Sequence, residues 1–151
     1  GWTVLQGERP VEGHLWGGCI EVVEFLKGTR YWPPAGFFDD AVLFFETSEE
    51  KPPSQRVGYM LRNYGVAGIL GRASALLLGR PKDYTSADVD KLHKLVTAIV
   101  ADEFGRPDMP VITNVDFGHT DPKLIVPVGG RVRVDPVLKR ITLTESPFMS
   151  R

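Results

Sequence analysis

Two short segments, Leu43-Phe44-Phe45-Glu46-Thr47 and Asp116-Phe117-Gly118-His119-Thr120-Asp121-Pro122, each place one ionisable side chain just past an apolar, strand-like run. A carboxylate and an imidazole together make a strong positioned base. The acid fixes the tautomer of the ring and stabilises its cation, and the ring removes the proton from a hydroxyl that is otherwise a poor nucleophile. Glu46 and His119 therefore look like two thirds of a hydrolytic triad. No serine or cysteine among the 151 residues sits in a tight, glycine-flanked nucleophile elbow, so the third member is expected outside the chain.

Each candidate has a plainer alternative. Glu46 follows a buried strand, where open α/β sheets collect catalytic groups, but it could also begin a solvated acidic loop with Glu49 and Glu50. Gly118 lets the backbone before His119 approach another surface closely, and Thr120-Asp121-Pro122 shapes a turn that can present the ring; a histidine bonded only within its own turn is the alternative. His14, in a glycine-rich stretch, and His93, on a helix with Asp90, Lys94 and Asp102, are expected to be structural or solvated. Asp116-Phe117-Gly118 spells the magnesium motif of protein kinases without the glycine-rich loop, strand lysine or catalytic loop that go with it. Gly65, Gly68 and Gly71 lack the Lys-Ser/Thr pair of a phosphate loop. Asp39-Asp40 and Glu49-Glu50 stand without histidines or cysteines at ligand spacing, so neither a metal nor another cofactor is expected.

The elements that must carry these residues can be read from hydrophobic spacing. An extended piece near Thr3 to Leu5 precedes a turn-rich, irregular stretch through Gly7, Pro10 and Gly13. Ile20, Val23, Phe25 and Leu26 predict a short helix stopped by Gly28. Ala41 to Phe45 and Ala75 to Leu78 read as buried strands, separated by a helix that starts at Pro53-Ser54 and ends at Gly65, with Val66 to Gly71 a further helical turn or loop. Thr85 or Ser86 caps the clearest helix, which runs to about Phe104 before Gly105 and Pro107. Val111 to Val115 is strand-like, Leu124 to Val128 is an apolar run broken by Pro127, and Val132, Val134, Ile141 and Leu143 alternate as an antiparallel pair. A mixed α/β domain follows, counted as one.

Composition narrows the function classes. With 42% hydrophobic and 25% charged residues the chain can bury a real core. Eighteen basic against 19 acidic side chains give a net charge of -1, which offers no electrostatic case for nucleic acid or an anionic membrane. Cys19 stands alone and no run approaches the roughly 20 apolar residues of a membrane span, so a reducing, cytoplasmic setting is expected. The opening Gly1-Trp2-Thr3 shows no charged-then-apolar leader, and the chain is expected to be a C-terminal part of a longer protein.

In order along the chain stand Gly13-x-x-x-Gly17-Gly18, Leu26-x-Gly28-Thr29-x-Tyr31, Leu43-Phe44-Phe45-Glu46, Leu78-Gly79-Arg80, Pro110-Val111, Gly118-His119-Thr120 and Pro127-x-Gly129. Across nearly its whole length the sequence thereby resembles the C-terminal domain of the serine LD-carboxypeptidase family, which includes the microcin C immunity hydrolases. Gly1-Trp2 and Leu5-Gln6-Gly7 look closer to the immunity branch than to the cell-wall recycling branch. The resemblance implies a β/β/α swivelling-type domain with short helices packed on a mixed sheet. It also implies a serine on an N-terminal domain, here absent, with Glu46 and His119 completing a Ser-Glu-His triad that cleaves an amide in a murein tetrapeptide or a peptidyl- or aminoacyl-nucleotide. Thr47, Ser48 and Thr120, flanking the acid and the base, are the substrate-binding candidates. The partners expected are the protein's own N-terminal domain, the small substrate and a second copy in a homodimer. Cys19 departs from the asparagine common after the paired glycines. The exposed face bearing the site should be bare, with Trp32, Phe37, Phe38 and Phe117 as candidates for an apolar patch. A noncatalytic peptide- or nucleotide-binding module using the same loops is the alternative from another class.

Overall fold

In the computed structural model, which describes residues 1–148, the central strands are those whose sequences are apolar without a break. Val42–Glu46 (β3), Ala75–Gly79 (β4) and Val111–Val115 (β5) lie parallel and neighbour one another in the order β3, β4, β5. A strand covered on both faces has no solvent side on which to place polar groups, so the alternation typical of a half-exposed sheet disappears. Alternate residues of these strands feed two separate cores. Leu43, Phe45, Leu76 and Leu78 meet Val57, Leu61 and Tyr64 of a helix over Ser54–Val66 and Leu92 and Val96 of a helix over Ser86–Thr97. Val42, Phe44, Leu77 and Ile112 face the other way, toward Leu15, Val132 and Val134. Full burial of one such Leu or Phe is worth about 1.5–3 kcal/mol, so both cores contribute to holding the sheet.

The remaining strands close the sheet at its edges. Thr3–Gln6 (β1) runs antiparallel to β5, and Val11–Cys19 (β2) is shared. The first half of β2, Val11 to His14, pairs antiparallel with Arg131–Asp135 (β6), and its second half, Leu15 to Cys19, pairs parallel with β3. With Arg140–Leu143 (β7) beside β6, the seven strands stand in the order β1-β5-β4-β3-β2-β6-β7. The β6–β7 ribbon carries Val132 and Val134 over the second core, so the sheet curls over that face while helices cover the other. The helices are Ile20–Val23 (α1), Ser54–Val66 (α2), Ile69–Arg72 (α3) and Ser86–Thr97 (α4). Among the described residues none is long and apolar enough to cross a membrane.

Several sequence expectations hold and some do not. Thr85 caps α4 through a box in which its Oγ1 accepts from the Asp88 N–H at 3.2 Å and the Asp88 carboxylate accepts from the Thr85 N–H at 3.1 Å. The helix expected to run on to Phe104 is α-helical only to Thr97 and then widens into a π-helical stretch over Ala98–Glu103. The stretch expected to be irregular around Gly13 is instead part of the nine-residue β2, which puts His14 in a strand, edge-on to Phe37 at 4.8 Å. The apolar run Leu124 to Val128 forms no strand. Of the four aromatics expected at a bare face, Phe38 and Phe117 are buried core, Trp32 is half-buried, and Phe37 is exposed. Phe38 and Phe117 fill volume against the sheet, and exposed apolar side chains include Leu124, Ile125 and Val128 on the segment after His119, with Phe25, Tyr59 and Val66 among those exposed elsewhere.

Candidate active site

Glu46 and His119 meet above the carboxyl end of the sheet. Glu46 is the last residue of β3, and His119 sits in the loop that leaves β5. The sheet places β4 between those strands, so the two side chains must reach across the end of β4 to touch. They do: His119 Nδ1 lies 2.6 Å from Glu46 Oε2, across 73 positions of sequence. The residue of β4 beneath this bridge is Gly79. A Cβ there would stand 2.6 Å from the Phe117 carbonyl oxygen and 2.9 Å from Glu46 Cβ, closer than non-bonded atoms approach. Gly118 closes the same gap from the loop side, since a Cβ on it would lie 2.8 Å from Glu46 Cβ and Oε2. Its φ of +102° also lies in a region that side chains disfavour. Two glycines thus make the passage through which acid and base join.

Burial divides the pair unequally. The Glu46 side chain is 11% exposed and that of His119 39%, so the carboxylate is largely withdrawn from water and the ring is its bridge to the surface. A buried carboxylate needs a donor, and the imidazole N–H supplies one. With Nδ1 committed to the acid, Nε2 is the nitrogen left to exchange a proton with a neighbour, and among the described residues no hydrogen bond engages it. The His119 loop is itself anchored. Phe117 packs edge-to-face on Phe44 at 5.7 Å, Leu124 N–H donates to the Asp116 carbonyl at 2.5 Å, and the Asp116 carboxylate pairs with Arg80 and accepts from Trp2 Nε1 at 2.8 Å.

The flanking residues fall into two groups. Thr47 is buried and Thr120 half-buried, and the hydroxyl of each is enclosed with no partner among the described residues. Ser48 is occupied, its Oγ donating to Glu21 Oε1 at 2.7 Å and its backbone N–H lying 3.3 Å from both oxygens of that carboxylate. Cys19, opposite Glu46 in the β2–β3 register, donates to Glu21 Oε2 at 3.5 Å. Burial above all, with Glu21 and Glu46 nearby, pushes its thiol up to about 11, so it stands beside the site as a neutral thiol. His14 and His93 lie elsewhere: His93 Nε2 is 2.9 Å from Thr113 Oγ1 and links α4 to β5, and burial lowers its pKa. Asp39 pairs with Arg72 and Glu49 with Lys82, both at the surface. Among the described residues no group of three or more His, Cys, Asp or Glu side chains converges at metal-binding range. Sequence reading took Leu78-Gly79-Arg80 and Gly1-Trp2 only as landmarks of a resemblance and Asp116 only as part of a rejected motif, and gave none of them a role at the site. The signal available was a glycine followed by a charge at the exit of a buried strand, with an opposite charge at the exit of another.

Comparison with known proteins places the chain in a family. Residues 12–134 match the family described as the LD-carboxypeptidase C-terminal domain. A provisional carboxypeptidase of Treponema pallidum is 29% identical over 130 residues, covering 84% of this chain and 35% of its own length. The microcin C7 self-immunity protein MccF of Escherichia coli is 27% identical over 140 residues, 92% of this chain and 38% of that protein. Among solved structures, an MccF-like protein from Streptococcus pneumoniae in complex with AMP superposes with a TM-score of 0.81 at 29% identity, over 95% of this chain and 43% of that one. MccF in complex with glutamyl sulfamoyl guanosine has the same fold, with a TM-score of 0.79 at 22% identity over 98% of this chain and 42% of that one. The chain thus spans well under half the length of these relatives. With residues 12–134, most of its length, matching that model, the chain belongs to the LD-carboxypeptidase C-terminal domain family.

Proposed function

We propose that this chain supplies the acid and the base of a Ser-Glu-His triad, and that the serine comes from a domain outside residues 1–151 of the kind its longer relatives have room for. The observation that carries the reading is the 2.6 Å contact between His119 Nδ1 and Glu46 Oε2, made through a passage that two glycines keep open. His119 Nε2 takes the proton of the serine hydroxyl as its oxygen attacks an amide carbon. Glu46 stabilises the imidazolium that results, and the same Nε2 proton then passes to the departing amine. Water attacks the acyl-enzyme by the same route in reverse, releasing the acid and restoring the serine.

The substrate class proposed is an amide in a murein tetrapeptide or in a peptidyl- or aminoacyl-nucleotide. Support comes from the relatives' names and bound molecules: a microcin immunity protein, and structures holding AMP and glutamyl sulfamoyl guanosine. Thr47 and Thr120, with enclosed hydroxyls, and Ser48, beside them on the loop after β3, are the proposed substrate contacts. The exposed apolar residues Leu124, Ile125 and Val128, on the segment that continues from the His119 loop, suit a surface covered by the nucleophile domain.

The test is made in a protein that carries the upstream domain. Glu46→Gln and His119→Ala should each lower turnover of a muropeptide or an aminoacyl-sulfamoyl adenylate by on the order of 10⁴-fold. Unchanged turnover in both variants overturns the reading, and so does hydrolysis by residues 1–151 alone.

A further inference from the structure

The loop that carries His119 is tied down at one charged node. Asp116 is the first residue past β5, three positions before His119. Its carboxylate pairs with the Arg80 guanidinium and accepts the Trp2 indole N–H at 2.8 Å, and its carbonyl accepts the Leu124 N–H at 2.5 Å. The Leu124 bond returns the chain to the point where it left the sheet. His119 therefore lies within a loop pinned at both ends, and Phe117, buried against Phe44, pins it from inside.

Arg80 lies one position beyond the end of β4 and is joined to β5 twice. Its backbone N–H donates to the Val115 carbonyl at 3.0 Å, and its side chain holds Asp116. The residue before it is Gly79, over which Glu46 and His119 meet. Two consecutive residues thus divide the work: Gly79 leaves the gap between acid and base, and Arg80 fixes the loop on its far side. The Arg80 and Asp116 side chains are 34% and 28% exposed, so the pair is partly desolvated and holds its geometry better than a free surface ion pair. Trp2 completes the node from β1's end of the sheet, on the far side of β5 from β4.

Taking Glu46 and His119 as the acid and base of a triad, we propose that the Arg80–Asp116–Trp2 node is a positioning device that sets the distance and angle of the His119 ring relative to Glu46. None of the three residues touches the reacting atoms. Each acts through the loop: Asp116 sets where the chain leaves β5, and the ring of His119 is delivered from that point. A free loop of this length would sample many ring orientations, of which few bring Nδ1 within bonding reach of a carboxylate that is itself nearly buried.

The test uses the 151-residue chain and follows the His119 Nδ1 proton by NMR. In the native chain this proton, bonded to Glu46, gives a low-field signal that Glu46→Gln removes. A native chain without that signal defeats the acid–base reading, and the positioning role falls with it. With the signal present, Asp116→Ala and Arg80→Ala should leave the amide spectrum of β2 to β5 in place while the Nδ1 proton exchanges with water at least about tenfold faster, the effect of losing one charged hydrogen bond. Arg80→Lys, which keeps a cation at the node, should recover part of the protection. A proton as protected in Asp116→Ala as in the native chain overturns the positioning role and leaves the triad reading intact. If Asp116→Ala fails to fold, Trp2→Phe decides instead: it deletes one donor and keeps a ring, and unchanged exchange there overturns the role equally.

Discussion

Gly79 is the residue on which the meeting of acid and base depends, because it is the point where a side chain would fill the gap they cross. A Cβ at that position would lie 2.6 Å from one backbone oxygen and 2.9 Å from Glu46 itself, so neither neighbour can yield without moving the pair. Gly79→Val is therefore expected to part Glu46 from His119 by about an ångström, a displacement that typically costs on the order of 10²-fold in rate. On the proposed triad, turnover of a protein that joins this chain to a nucleophile domain measures this, and an unchanged circular dichroism spectrum shows that the loss is local. Cys19 gives a second expectation. Its thiol titrates at about 11, so near pH 8 it holds on the order of a hundredfold less thiolate than a free cysteine. Alkylation by iodoacetamide should be correspondingly slow and should climb steeply above pH 10; rapid labelling at pH 8 would contradict it. Glu46 and His119 were legible in the sequence because each follows an apolar run that names its own strand end. Gly79, Arg80 and Asp116 were not, since their roles arise only once two strands far apart in the chain lie side by side.

At the level of elements, the strand that sequence patterning missed is the one that joins the two parts of the sheet. Gly7, Pro10 and Gly13 make the approach to this strand read as turn-rich and irregular, yet Gly13, like Gly17 further along β2, stands where other backbone presses on the strand. A Cβ on Gly13 would fall 1.8 Å from the Asp40 carbonyl oxygen, and one on Gly17 would fall 1.7 Å from that of Phe44. Glycine that serves close approach and glycine that serves a turn look alike in a sequence. Gly17→Ala should destabilise the chain by about 3 kcal/mol, since the clash is with backbone and not with a side chain that can swing aside; a shifted urea midpoint reads it out. The buried parallel strands and α2 and α4 were legible because their apolar residues repeat at the period of their own element.

Another element-level expectation concerns His93, which ties α4 to β5 through Thr113. Burial lowers its pKa below the ordinary 6.5, so the unfolded chain binds a proton at a higher pH than the native chain does. Stability is thus complete above about pH 6.5, falls as the pH drops toward the lowered native value, and then levels off. Urea midpoints measured between pH 7.5 and 5 should show this decline, and His93→Gln, which keeps a donor for Thr113, should remove that part of the slope.

At the scale of the molecule, the core is ordinary and the surface is not. Two apolar cores are filled from both faces of the sheet, while Ile125 stands 96% exposed with Leu124 and Val128 beside it. Large apolar side chains grouped in this way on a free surface favour association or a covering partner. The chain alone should bind a hydrophobic dye, and Ile125→Ser with Leu124→Ser should reduce that binding without lowering the urea midpoint; equal dye binding in the double variant would place the apolar surface elsewhere.

Because β3, β4 and the loop after β5 all belong to this one chain, the contact between Glu46 and His119 forms without any second lobe. If the serine is brought by a separate lobe, that lobe has only to dock an alcohol against a ring already set, and the two could be produced apart and mixed. Activity would then appear on combining them, saturating with the concentration of either, as in an enzyme reassembled from complementary pieces.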